Sequence, residues 1–261
     1  MRDLRLPLRG DASSRRVLLR PVQARYTAQQ GGVQVLSIGG YVRTETIGDA
    51  TLYLGDCMDY MRDLPDKAFE LAIVDPEYGI QLKGPCGHSQ QWGGIQSVNG
   101  KPPDYLYFKE LKRVSENYII WGANYFNIEG HRCVIVWDKG ETMYGRSFSE
   151  CEIAEASFNE VSRIVKIPPN QFDKIHPTQK PVALYKWLLS RYAKPGDRIL
   201  DTHGGSFSSV IACIDLGFPI VCVEKDKDYF EAAFARVREF ACQPKLIDEK
   251  PAAPVPQELP L

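Results

Sequence analysis

Residues 69–78 read Phe69-Glu70-Leu71-Ala72-Ile73-Val74-Asp75-Pro76-Glu77-Tyr78, an apolar run that stops at a carboxylate, a proline and an aromatic ring. The run has the length and composition of a buried strand. It sets Asp75, Pro76, Glu77 and Tyr78 together at a strand's carboxyl end, the edge at which open α/β sheets bind ligands. Asp-Pro after a strand is also an ordinary way to begin a turn, so these residues gain weight only from what surrounds them.

Working outward, residues 51–54 form a short strand and 57–64 a short helix. Residues 79–103 make a loop rich in Gly, Gln and Pro that carries Trp92, long enough to be either functional or disordered. Asp104 caps a helix whose Tyr107, Leu111 and Val114 share a face, and 117–121 returns as a strand. The apolar run 133–137 ends at Asp138, and 152–158 with 161–167 is expected to close the sheet as a β-hairpin edge. In the second half Pro181 opens a helix with Val182, Tyr185, Leu188, Leu189 and Tyr192 at helical spacing. Residues 198–200 are a strand, 208–216 a helix, 219–223 a strand and 228–241 a helix. Strands alternating with helices of this length predict an α/β fold with a doubly wound, mostly parallel sheet.

The chain has 261 residues, enough for one large domain with a full core. Residues 46–242 are expected to form it, flanked by an arginine-rich flexible arm (1–45) and a Pro-rich disordered tail (243–261). The arm carries Arg2, Arg5, Arg9, Arg15, Arg16, Arg20 and Arg25, and its roles remain open between phosphate contact and a plain extension. A net charge of -1 gives no global attraction to a polyanion, so nucleic acid would have to meet a local basic patch. No apolar stretch approaches a membrane span. Seven cysteines without a Cys-x-x-Cys pair predict unpaired thiols in a reducing compartment and no metal site.

A second cluster follows the strand at 198–200: Asp201-Thr202-His203-Gly204-Gly205-Ser206, then a helix. Small residues let a ligand approach the backbone, and a helix N-terminus favours a carboxylate or phosphate. The next strand ends at Glu224, 23 positions past Asp201. An acid at that strand tip is placed to hydrogen-bond ribose hydroxyls, although a generic βαβ turn with a solvated Glu has the same spacing.

His176-Pro177-Thr178-Gln179-Lys180-Pro181 before a helix, then the glycine turn, then Glu224, with Asp-Pro-x-Tyr far upstream, resembles the amino-methylating DNA methyltransferases. Within them the order is similar to the permuted β class, with a catalytic half (46–165) preceding a cofactor half (174–242). The resemblance covers about Gly48 to Ala241. It implies a seven-stranded sheet of the Rossmann-like methyltransferase type, S-adenosylmethionine as methyl donor, and DNA with a flipped target base as substrate. It also implies a cytoplasmic protein, bacterial or phage-encoded, of the restriction-modification kind; a homodimer is left open. Asp201, Thr202, His203, Gly204, Gly205 and Ser206 would line the cofactor, with Glu224 and Lys225 at its ribose and Asp56 and Cys57 beside its adenine. Thr178, Gln179 and Lys180 would close over the methionine end, near Asp75. Asp56 can equally be a helix N-cap.

The implied chemistry accounts for the first cluster. An exocyclic amine is a poor nucleophile because its lone pair is delocalised into the ring. Acceptors at the Asp75 carboxylate and the Pro76 carbonyl would draw its hydrogens and free that lone pair. The amine is inaccessible within duplex DNA, so the base must be flipped, and Tyr78 offers a stacking ring. Two departures stand out. Glu77 occupies a position commonly Pro, and is expected to point away or pair with a cation. Thr202 and His203 replace the usual Pro-Phe, with Phe207 where a second glycine is common. Trp92, in the 79–103 loop, is the candidate for wedging or stacking against DNA. Adenine N6 is favoured over cytosine N4, because Asp leads the catalytic motif. Methylation of RNA or a protein amide, and a DNA-binding protein that has lost cofactor, are the competing readings.

Overall fold

The computed structural model describes residues 43–79, 101–128, 130, 132–146, 149–169, 174–176 and 178–243. The basic arm up to residue 42, Trp92 with its loop from 80 to 100, and the tail from 244 lie outside the described residues. The elements in chain order are β1 (Arg43–Ile47), β2 (Ala50–Leu54), α1 (Cys57–Arg62), β3 (Phe69–Val74), α2 (Tyr105–Val114), β4 (Ser115–Trp121), β5 (Cys133–Asp138), β6 (Cys151–Ala156), β7 (Arg163–Lys166), α3 (Val182–Tyr192), β8 (Ile199–Asp201), α4 (Ser208–Leu216), β9 (Ile220–Glu224) and α5 (Lys227–Cys242).

One sheet takes the order β1-β2-β9-β8-β3-β4-β6-β5-β7. Five of its pairings are parallel and three antiparallel. The β3 side chains explain why its sequence is apolar without alternation. Leu71 and Ile73 face a core shared with α3, α4 and α5, whereas Ala72 and Val74 face a second core under α1 and α2. Both faces of the strand are dry, so both parities must be apolar. Helix starts follow local capping: Asp104 accepts from the Tyr107 N–H at 3.1 Å, and Asp226 from the N–H groups of Asp228 (2.8 Å) and Tyr229 (3.0 Å).

Two expectations about the sheet are corrected. It has nine strands among the described residues, not seven, because β1 and β7 add one at each edge. β1 lies partly in the stretch read as arm and pairs antiparallel with β2. The expected hairpin of the last two strands does not form: β6 pairs with β4 and β5, and β7 pairs in parallel with the far side of β5. Burial explains the choice. Ala154 and Ala156 of β6 are fully buried and belong inside the sheet, while β7 exposes Ile164 at 74% and suits an edge.

Pairing of β3 with β8 aligns Leu71 with Ile199 and Ala72 with Leu200. Their carboxyl ends, Asp75 and Asp201, therefore emerge side by side although 126 positions separate them in sequence. The catalytic-motif turn and the glycine turn meet where the strand order diverges, the usual location of a ligand in such sheets.

Candidate active site

A cavity of about 970 Å³ opens at this edge. Its wall includes Asp56, Cys57, Asp75, Pro76, Glu77, Tyr78, Thr178, Gln179, Lys180, the residues 202–206, Glu224 and Lys225. Of the described candidates only Asp201 stands behind the wall. Its buried carboxylate accepts from Ser209 Oγ (2.5 Å) and the His203 N–H (3.0 Å), which ties the turn to α4. Burial pushes that carboxyl up to about 7 against these two hydrogen bonds.

Glu224 faces the cavity with both oxygens anchored, one by the Gly205 N–H at 2.7 Å and the other by the Asp226 N–H at 2.8 Å. Burial raises its carboxyl from the ordinary range, and these N–H donors oppose the rise. Each carboxylate oxygen has two acceptor positions, so each keeps one for a hydroxyl of a ligand. Gly204 is needed for a packing reason: a Cβ there would lie 2.4 Å from Phe207 Cε1 and 2.8 Å from Cys222 Sγ. Phe207 itself has φ +56°, the left-handed region that glycine tolerates best, yet its ring is fully buried edge-on against Phe230 at 5.6 Å. Burial of that ring offsets the strained backbone.

His203 packs edge-on against Tyr107 at 5.1 Å, with Nδ1 2.9 Å from Thr202 Oγ1. Burial, then Lys225, holds it down at about 3, so it is neutral at ordinary pH. Tyr107 Oη lies 2.7 Å from Thr202 Oγ1. Asp56 accepts from the Met58 N–H at 2.7 Å as the cap of α1 while also lining the cavity. Burial raises the Cys57 thiol to about 12, which makes it unreactive. His176 rests on Tyr229 at 4.3 Å, and burial holds it down at about 4. Gln179 Oε1 accepts from the Ile175 N–H at 3.0 Å and so folds its own loop. Glu77 pairs with Lys225 at 3.5 Å, one of the two arrangements expected for it.

The catalytic-motif turn holds a dense polar cluster. Lys180 Nζ lies 2.5 Å from Asp75 Oδ2 and 2.9 Å from Glu152 Oε2. Tyr78 Oη donates to Asp75 Oδ1 at 2.6 Å and accepts from Lys180 at 3.0 Å. Lys139 Nζ closes on Glu152 Oε1 at 2.8 Å. Burial raises the Asp75 carboxyl; Lys180 opposes this and Glu152 adds to it. Burial also works against the Lys180 ammonium, but Asp75 and Glu152 hold it above its ordinary value. The Tyr78 ring stacks on Tyr125 at 5.0 Å and lies against Gly122. Gly122 has φ +73°, and a Cβ there would fall 2.1 Å from Tyr78 Cε1. Glu152, Lys139, Tyr125 and Gly122 were not singled out by sequence reasoning. They reach the site through the β4–β6 and β5–β6 pairings, for which no local motif exists.

Among the described residues no group of three or more His, Cys, Asp or Glu could hold a metal, and no helix is long and apolar enough to cross a membrane. The cavity suits a nucleoside-bearing cofactor: its volume falls in the range of about 300–1,000 Å³ usual for such sites. A buried carboxylate acceptor at Glu224 and a small-residue turn at 204–206 supply the appropriate donor and acceptor chemistry.

The doubly wound sheet, the acid-tipped strand β9 and the Asp-Pro-x-Tyr turn in one cavity define a Rossmann-like, S-adenosylmethionine-dependent methyltransferase. The N6_N4_Mtase family model, described as DNA methylase, matches residues 108–235. The type II methyltransferase M.HinfI of Haemophilus influenzae is 23% identical over 259 residues, covering 76% of this chain and 71% of that protein. The putative methylase YubD of Escherichia coli K12 is 22% identical over 199 residues, covering 70% and 88%. The structure of PvuII DNA methyltransferase (cytosine-N4-specific) superposes with a TM-score of 0.53 at 13% identity, covering 80% of this chain and 92% of that one, and shares the fold. Over the matched residues the chain is similar to the DNA amino-methyltransferases, the family whose members act on adenine N6 or cytosine N4.

Proposed function

We propose that the protein methylates adenine N6 in duplex DNA, with the target base flipped into the cavity beside Asp75. The observation that carries this reading is that Asp75, Pro76 and Tyr78 share one cavity with Glu224 and the 203–206 turn. When bound, S-adenosylmethionine supplies a methyl group on a sulfonium, a leaving group already activated. Glu224 would take its ribose hydroxyls, residues 203–206 would pass the backbone close to it, and Asp56 would border its base.

Asp75 and the Pro76 carbonyl accept the two hydrogens of the target amine and free the nitrogen lone pair. Asp75 keeps 17% exposure, and each of its oxygens retains an acceptor position after serving Tyr78 and Lys180. The bound donor would supply the methyl carbon to the freed lone pair, and the electron pair of the carbon–sulfur bond would stay on sulfur. The cationic nitrogen then gives one proton to the Asp75 carboxylate, which releases it to water. Tyr78 supplies a stacking ring for the flipped base, worth about 1–3 kcal/mol. Adenine is favoured because an Asp leads the motif, where Ser is commoner among cytosine enzymes of the family. The bacterial relatives favour a cytoplasmic enzyme of a bacterium or its phage.

Incubation with methyl-labelled S-adenosylmethionine and unmethylated DNA, followed by mass spectrometry of nucleosides, tests the reading. N6-methyl-2′-deoxyadenosine from the DNA is expected. N4-methylcytosine alone would overturn the base assignment, and neither product, with cofactor binding shown by calorimetry, would overturn the reaction.

A further inference from the structure

Four charged side chains alternate in sign from the inner wall of the site outward: Asp75, Lys180 and Glu152 on the wall and Lys139 behind them. The contacts are 2.5, 2.9 and 2.8 Å in that order. They come from four separate places in the fold, namely the turn after β3, the segment before α3, β6, and the end of β5. All are largely withdrawn from water, with side-chain exposures of 17, 2, 20 and 12%. Lys180 also lies over the rings of Tyr78 (5.5 Å) and Trp121 (5.4 Å), which confine its ammonium.

Asp75 alone would neutralise Lys180. A second buried carboxylate on the same ammonium costs desolvation that the fold need not incur for stability, since buried ion pairs contribute little net. The chemistry at Asp75 supplies a reason. Methyl transfer moves positive charge onto the target nitrogen, next to this cluster. With Glu152 and Lys139 in place the cluster is neutral overall, two cations against two anions. Removing the Glu152 charge would leave a net cation facing a nitrogen that is becoming cationic, and would hand Lys180 wholly to Asp75.

We infer that Glu152 is a positioning residue for the transfer: it fixes Lys180 between two carboxylates and thereby sets both the orientation and the proton affinity of Asp75, with Lys139 as the outer counter-charge. The inference rests on the reading of Asp75 as the amine acceptor. Asp75 is faced by Tyr78 from its own turn, Lys180 from the segment before α3, Glu152 from β6, Tyr185 from α3, Tyr107 from α2 and Asp201 from β8. Lys139 acts on it through Glu152. Of these, Glu152 and Lys139 are charges outside the motifs, and their removal should act with opposite signs.

The experiment is single-turnover methyl transfer to DNA as a function of pH for the wild type, Glu152→Gln, Lys139→Met and Glu152→Asp, with cofactor affinity by calorimetry as the check on folding. Glu152→Gln should slow transfer by about 10- to 100-fold, less than the ~100- to 1,000-fold lost with a preorganised group that itself touches the reacting atoms. Cofactor affinity should stay within about threefold. Its acid limb should move to lower pH, because the anion that raises Asp75's proton affinity is gone. Lys139→Met should move the limb to higher pH, because Glu152 is then less neutralised. Glu152→Asp should recover part of the rate. Acid limbs that stay in place, or move the same way in both variants, overturn the inference. Should Glu152→Gln fail to fold, the Lys139→Met shift decides the matter alone. Wild-type transfer with unmoved limbs sinks this inference only, whereas no wild-type transfer sinks the reading of Asp75 as well.

Discussion

Gly204 and Phe207 are coupled through space, and a double-mutant cycle should measure the coupling. In Gly204→Ala the new Cβ would sit 2.4 and 2.7 Å from Phe207 Cε1 and Cδ1, well inside the ~3.5–4.0 Å of favourable carbon contact. The ring has nowhere to retreat, being fully buried and lodged against Phe230. The backbone of Gly204 is held as well, by its N–H to Val223 O at 2.9 Å and its carbonyl to the Phe207 N–H at 2.8 Å. Overpacking of this kind costs about 1–3 kcal/mol. Phe207→Gly acts through two opposing effects. Relief of the left-handed backbone at φ +56° returns about 1–2 kcal/mol, whereas deleting a fully buried phenyl costs about 3–5 kcal/mol. The ring wins, and the variant should be less stable by about 1–4 kcal/mol. In the Phe207→Gly background Gly204→Ala still meets Cys222 Sγ at 2.8 Å but no longer the ring, so its cost should fall by about 1–2 kcal/mol, within the range seen for contacting residues. Urea unfolding of the four proteins measures this, with cofactor affinity followed in parallel because the same turn lines the cavity. Equal costs of Gly204→Ala in both backgrounds, within about 0.5 kcal/mol, would refute the packing argument.

Asp75→Asn should abolish methyl transfer while leaving S-adenosylmethionine binding, measured by calorimetry, within a few fold. Asp75→Ala should cost more rate than Tyr78→Ala, since stacking contributes about 1–3 kcal/mol while Asp75 acts on the reacting nitrogen; equal rate losses in single turnover would argue against these roles. Glu224→Gln should weaken cofactor binding by about tenfold, since the charged acceptor for the diol is lost, with the overall fold retained by circular dichroism. His203 is held at about 3, below its unfolded 6.5, so its contribution to stability is complete above pH 6.5 and is lost as pH falls toward 3. Relative to His203→Gln, the wild type should lose about 1.4 kcal/mol per pH unit between pH 6.5 and 4; parallel stability curves in urea would contradict a buried neutral imidazole.

Much of this molecule is legible in one dimension because its signals are local. The strand ending at Val74, the cap at Asp104, the helix of residues 208–216 and the acid at Glu224 each depend on residues within a few positions of one another. The edge strands were misjudged because pairing partners are a long-range choice. A β6 rich in small buried residues goes inside the sheet and a half-exposed β7 goes to its rim, and neither pattern says so without the other strands. The roles of particular side chains shift for the same reason. Lys180, expected at the methionine end of the cofactor, commits its ammonium to Asp75 and Glu152, and Asp201 turns inward to Ser209.

The amino-acid sequence by itself determined the doubly wound class and the methyltransferase chemistry, and it carries the expectation of a catalytic half before a cofactor half, because periodicity, caps and contiguous motifs are written over short spans. The tertiary structure alone decided that Asp75 lies in a four-charge cluster, that Glu77 pairs with Lys225, and that Phe207 holds a glycine-like backbone. Those depend on residues that the fold brings together from different elements, such as Asp75 with Lys180 and Glu77 with Lys225, and burial strengthens the charge–charge interactions of the Asp75 cluster.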